Sequence, residues 1–250
     1  MNTAAKRQVE ISVIIPTYNE AARVKPSLEI VLDYLRASRH TWELIVVDDG
    51  SQDATIEIVL DAIDNEPRAR LIYYDQNRGK GYAVSTGVLA SEGIWAVFLD
   101  ADLSTSVEEI DNALPFLESG YDMVVGSRAH PESHIERQPP PFRRFASAIF
   151  DLVRYSIVGL QQFPDTQCGF KAFRREVVSP LYERAVIERF MFDVEILYLA
   201  KQSGLRLREL PVRWSDATGS KVRFFTGVYQ MFRDLVRIRL AHRDFDDTVQ

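Results

Sequence analysis

Through the first half of this chain, short apolar runs alternate with segments of helical period, and few folds are compatible with that rhythm. Residues 11–16 (ISVIIP), 43–48 (ELIVVD), 70–74 (RLIYY), 95–100 (WAVFLD) and 123–127 (MVVGS) are rich in β-branched and aromatic residues. Each run is bounded by Gly, Asp, Asn or Pro, as expected of strands buried on both faces of a parallel sheet. Residues 26–37 and 55–63 supply helices between them, and Ser106 with Glu109 predicts a capping box opening a fourth helix. Strand–helix alternation of this kind predicts an α/β fold with a doubly wound, mainly parallel, Rossmann-like sheet. Ligands of such sheets bind at the carboxyl ends of the strands.

Polar residues gather at that edge. The first strand runs into Pro16-Thr17-Tyr18-Asn19-Glu20, the second into Asp48-Asp49-Gly50-Ser51, and the fourth into Asp100-Ala101-Asp102. Any one of these loops reads equally well as a turn or helix cap; three converging on one edge point to a site. Two carboxylates one residue apart, where a strand is ending, can both reach a hard cation such as Mg²⁺ or Mn²⁺, which in turn bridges phosphate oxygens. Asn77-Arg78-Gly79-Lys80-Gly81 opens the third helix, where two glycines allow close backbone approach to a phosphate or sugar and Arg78 and Lys80 add charge. It is not a dinucleotide fingerprint, because Val84 stands where Gly or Ala is required.

The second half loses the rhythm. Pro139-Pro140-Pro141 interrupts the chain, an amphipathic segment covers 142–160, and a loop at 164–169 leads into 170–173. Helical patterns follow near 176–185 and 194–202, then a strand at 207–212, a final helix at 223–242 and a frayed tail at 244–250. Charge divides the same way: residues 1–130 hold 11 Lys and Arg against 21 Asp and Glu, and residues 131–250 hold 19 against 15. The basic half suits an anion or an anionic surface. Segments 142–160 and 221–243 set apolar residues beside arginines, the pattern of helices lying in a membrane interface or of helices packed on a core with a basic solvent face. No run approaches the ~18 apolar residues of a membrane span, and the first residues carry no apolar signal core. No basic, aromatic-studded stripe speaks for nucleic acid. Cys168, the one cysteine, reads as a small buried residue, and His130 and His134 as a solvated loop because Pro131 precludes a helix.

VIIPTYNE, VVDDGSQDAT, NRGKGYAVSTG, FLDADLST, GSR, DTQCGFKAFRR, FDVEIL and the late GSK together resemble glycosyltransferase family 2. Within it they are most similar to the polyprenyl-phosphate branch of the dolichyl-phosphate β-glucosyltransferase type, over residues 11–221. The resemblance implies a GT-A type fold, one domain with a nucleotide-sugar half at 11–130 and an acceptor and membrane-facing half at 131–243. It implies that Pro16, Tyr18, Glu20, Asp49 and Lys80 bind the donor, and that Asp100 and Asp102 hold the diphosphate and a Mg²⁺ or Mn²⁺ ion. Arg128, Arg143 and Arg144 are the candidates for an acceptor phosphate.

The implied reaction is inverting transfer of one sugar, with UDP-glucose the favoured donor, to a polyprenyl phosphate at the cytosolic face of a membrane. A separate integral-membrane partner is compatible with the chain's lack of spans. Asp102, Arg128 and Asp193 are the catalytic candidates. Asp193 and Glu195 stand where relatives acting on sugar hydroxyls place a general base; here the alternative is that they position the donor or structural partners. Two other readings keep the fold: transfer to a glycan hydroxyl with Asp193 as base, and a non-catalytic module that senses a nucleotide sugar.

Overall fold

The computed structural model describes residues 8–136, 141–215 and 224–243, with the backbone alone for 141–149 and 224–228. The side chains of Arg143 and Arg144, the Gly219-Ser220-Lys221 segment and the tail 244–250 lie outside the described residues. The first half follows the predicted alternation: β1 (Ile11–Thr17), α1 (Val24–Ala37), β2 (Trp42–Asp48), α2 (Thr55–Ile63), β3 (Ala69–Tyr73), α3 (Lys80–Ala90), β4 (Trp95–Leu99), α4 (Glu109–Glu118) and β5 (Met123–Ser127). Every residue of β1 and β2 is buried. Their alternate residues serve opposite layers. Ile14, Ile45 and Val47 join Ala83, Val84 and Val88 of α3 on one face, while Val13, Ile15, Leu44 and Val46 meet Val24, Leu28 and Leu35 of α1 on the other. Strands buried on both sides have no polar face to show, which is why they read as continuous apolar runs.

The second half contributes β6 (His134–Ile135), α5 (Pro141–Val158), β7 (Phe170–Arg174), α6 (Arg175–Arg184), α7 (Phe192–Gln202), β8 (Leu207–Pro211), β9 (Arg213–Trp214) and α8 (Phe224–Ala241). The main sheet runs β3-β2-β1-β4-β7-β5-β8. All its pairings are parallel except those of β7, which is antiparallel to both β4 and β5. Because Leu99 pairs with Phe170, the start of β7 lies at the carboxyl end of β4. The loop before β7 therefore arrives at the edge where the site was expected.

Two local expectations fail. Ser106 and Glu109 form no capping box: the Ser106 hydroxyl bonds Glu108, and Glu109 is buried, accepting from the Arg213 amide at 3.0 Å and from Asn112 at 2.8 Å. A tertiary demand for that carboxylate outweighs the local cap. His134 is not in a plain loop either, since β6 pairs in parallel with β9.

Candidate active site

Asp100 follows the last residue of β4, and its amide donates to the Gly169 carbonyl at 3.1 Å. A Cβ on Gly169 would collide with the Asp100 carboxylate, so this glycine is what lets the β7 loop pass against it. Asp100 Oδ1 meets Lys80 Nζ at 2.6 Å, with both side chains about one-quarter exposed. Leu103, three residues further on, has φ 47°, turning the chain back so that the Ser104 amide donates to Asp102 Oδ1 at 3.0 Å. The Arg23 guanidinium stands 3.9 Å from Asp102 Oδ2 and also pairs with Glu20.

A cation of the chain's own thus sits at each of the two carboxylates. The hard carboxylate oxygens fit a divalent ion, with which Lys80 and Arg23 would have to share them. Among the described residues no third His, Cys, Asp or Glu completes a cage.

Lys80 is framed from behind. Burial works against its charge, yet Asp100 and Asp193 outweigh that and hold its pKa above the ordinary lysine value. Asp193, in the first turn of α7, is 3% exposed and meets Lys171 Nζ at 2.5 Å; Lys171 is wholly buried and also donates to the Cys168 carbonyl at 2.9 Å. Burial pushes the Asp193 carboxyl up, against the downward pull of Lys171 and Lys80. Glu195 turns elsewhere, accepting from the Val186 and Ile187 amides at 2.9 and 2.8 Å and contacting His242 at 2.7 Å. One of the two carboxylates approaches the site and the other is structural, as their spacing on a helix requires.

Arg128, just past β5, is clamped by Asp165. Nε and Nη2 donate to the two carboxylate oxygens at 2.6 and 2.7 Å, and the Arg128 amide adds a third bond at 2.9 Å. The guanidinium lies 5.7 Å from the centre of the Trp214 ring. Burial opposes its charge, but Asp165 prevails and raises its pKa. Its Nε edge is engaged by Asp165.

The remaining candidates divide. Tyr18 is 36% exposed at the end of β1, whereas Pro16 is buried within the strand opposite Val47. Asp49 is 3% exposed, and its carboxylate is filled by Tyr74, Asn77 and the amides of Arg78 and Gly79. It builds the glycine loop and offers no open face.

That loop also departs from expectation. A Cβ on Gly79 would lie 2.5 Å from the Glu188 carbonyl, and one on Gly81 2.6 Å from Phe192 Cβ. The Tyr82 amide donates to that same Glu188 carbonyl at 2.9 Å. The room left by the two glycines is filled by residues 187–192, so they admit another stretch of this chain where a phosphate was anticipated. Cys168 is fully buried, as expected, and burial pushes its thiol up to about 11.

Asp165, Gly169 and Lys171 were missed as individuals, although DTQCGFK contains all three. A charge at each end of an otherwise uncharged loop was the available signal.

The model for Glycosyl transferase family 2 matches residues 12–181. A dolichyl-phosphate beta-glucosyltransferase of Trichomonas vaginalis is 37% identical over 246 residues, covering 94% of this chain and 72% of that protein. One of Drosophila melanogaster is 37% identical over 243 residues, covering 92% and 74%. Among solved structures, glucosyl-3-phosphoglycerate synthase from Mycobacterium tuberculosis, in complex with Mn²⁺, UDP-glucose and phosphoglyceric acid, superposes with a TM-score of 0.65 at 19% identity. That match covers 93% of this chain and 79% of the synthase. Mannosyl-3-phosphoglycerate synthase from Rubrobacter xylanophilus gives 0.67 at 18%, over 97% and 76%. The structural matches carry the GT-A-like fold. The family match and the extent of the sequence identity go further: this chain belongs to glycosyl transferase family 2.

Proposed function

We propose that this chain transfers a single glucose from UDP-glucose to the phosphate of a dolichyl-type polyprenyl phosphate, with inversion at the anomeric carbon. The acceptor class rests on the state of Asp193. A sugar hydroxyl must lose a proton as it attacks, which calls for an accessible base. The carboxylate in that neighbourhood is 3% exposed and paired with a buried lysine. A phosphate oxygen is already ionised at neutral pH and needs only orientation and charge screening. The relatives named dolichyl-phosphate beta-glucosyltransferases, at 33–37% identity, support the lipid and the sugar.

In this reading Tyr18 lines the nucleoside side and Asp49 shapes the loop that carries Lys80. Lys80 and Arg23 screen the diphosphate, and Arg128 presents its unclamped edge to the acceptor phosphate. The attacking phosphate oxygen forms the new bond to the anomeric carbon as the bond to the leaving diphosphate breaks. The electron pair departs with UDP, and no proton transfer is required. Asp100 and Asp102 would hold Mg²⁺ or Mn²⁺, which lowers the energy of the developing charge on the leaving group.

The acceptor brings a membrane with it. Among the described residues no helix is long and apolar enough to cross one. Helix α8 buries Leu235 and Ile238 but exposes Tyr229, Phe232 and Leu240, beside exposed Arg233 and Arg237. It packs on α5, where Leu152 is 67% exposed. An apolar ridge flanked by arginines suits the interface of an anionic membrane, here its cytosolic face.

The test uses purified chain, Mn²⁺ or Mg²⁺, short polyprenyl phosphate in detergent and radiolabelled nucleotide sugars, with Asp102→Asn beside it. Label should enter the organic phase from UDP-glucose, and the variant should lose roughly 10²–10³-fold in turnover. Donor hydrolysis without lipid labelling would favour a hydroxyl acceptor or a required membrane partner.

A further inference from the structure

Arg154 on α5 is wholly buried, and nothing in the transfer chemistry calls for a guanidinium there. Its Nη1 donates to the carbonyls of Leu160 and Phe163 at 3.4 and 3.1 Å. Its Nη2 donates to the carbonyl of Pro164 at 3.2 Å and to Asp151 Oδ1 at 3.0 Å. The guanidinium also lies 4.5 Å from the centre of the Tyr155 ring. Removing such a charge from water is unfavourable unless its donors are well used, and a planar fork is the side chain best able to gather several carbonyls at once. The residue after the last of these carbonyls is Asp165, which clamps Arg128. Four residues further along, Gly169 supports Asp100.

We propose that Arg154 is a positioning residue of the transfer: by drawing together the carbonyls of Leu160, Phe163 and Pro164 it sets Asp165, and through Asp165 the direction of the Arg128 guanidinium. The proposal rests on Arg128 serving the acceptor phosphate, as argued above. A residue needed only to fill space would be replaced without loss by an apolar side chain of similar volume, the usual outcome where a buried charge has no directional task.

The test separates geometry from activity. Arg128 lies against Trp214, so its placement can be followed by fluorine NMR of the full chain carrying 5-fluorotryptophan, with Trp42 and Trp95 as internal controls. In Arg154→Met the Trp214 resonance should move while the other two hold. KM for polyprenyl phosphate should rise about tenfold, and affinity for UDP-glucose with Mn²⁺ should stay within about twofold. Arg154→Lys, which keeps charge but loses the fork, should fall between and decides the matter if the methionine variant does not fold. Added to Asp165→Asn, Arg154→Met should cost less than about a further twofold, as expected of two residues acting in series. An unmoved Trp214 resonance in both variants would overturn the proposal. So would movement of all three resonances with kcat, KM and donor affinity failing together, the mark of a scaffolding role. If the unaltered chain labels no polyprenyl phosphate, the acceptor reading fails, while the Trp214 resonance still decides what Arg154 does.

Discussion

Asp165 and Asp193 are both buried carboxylates facing a cation, yet their pKa values move in opposite directions. For each, burial pushes upward. Arg128 overcomes it at Asp165 with two side-chain bonds and one amide, holding that carboxyl below its ordinary value. At Asp193 burial wins over Lys171 and Lys80. A depressed carboxyl contributes stability that is present above its unfolded-state value and lost as pH falls through the folded one. Asp165→Asn should therefore be less stable than the unaltered chain at pH 7, with the gap closing below about pH 4, readable as urea midpoints across that range. The Asp100 and Asp102 pair was legible because it ends an apolar strand and carries its own signature. The Arg128–Asp165 and Lys171–Asp193 pairs were not, since each joins residues more than twenty apart and only the fold brings them together.

At the level of elements, strands announced themselves while their direction did not. Five apolar runs gave five parallel or near-parallel strands at the expected places. Residues 170–173 gave no hint of running against them, because antiparallel placement depends on the path of the preceding loop and leaves no mark on the strand's composition. The glycine loop shows the same division. Its turn chemistry was plain, but its occupant, residues 187–192, lies about 110 positions away. Gly79 adopts φ 120° and ψ 158°, a region essentially confined to glycine. Gly79→Ala should cost about 1–3 kcal/mol from backbone strain alone, beyond its collision with the Glu188 carbonyl. Chemical denaturation measures that cost. A companion loss of UDP-glucose affinity would show that the loop also places Lys80.

Over the whole molecule, the acidic half presents the paired carboxylates and the basic half presents α8. Tyr229→Ser with Leu240→Ser should weaken binding to vesicles containing anionic lipid by about tenfold or more, since each change removes apolar surface that would otherwise leave water. Binding should also fall as salt rises, because the flanking arginines act through a screened field. Sedimentation with vesicles reads both effects. The charge division near residue 130 is not a division of the sheet: β7, from the basic half, is inserted between β4 and β5. That insertion sets a timetable for synthesis. When residue 127 has left the ribosome, β4 and β5 have both been made yet are not partners in the folded sheet, and the strand that joins them is more than forty residues from being made. Through that interval one edge of β4 and both edges of β5 have no partner strand, beside the candidate carboxylates Asp100 and Asp102, so the nascent protein should be most open to aggregation and to chaperones before Arg174 emerges.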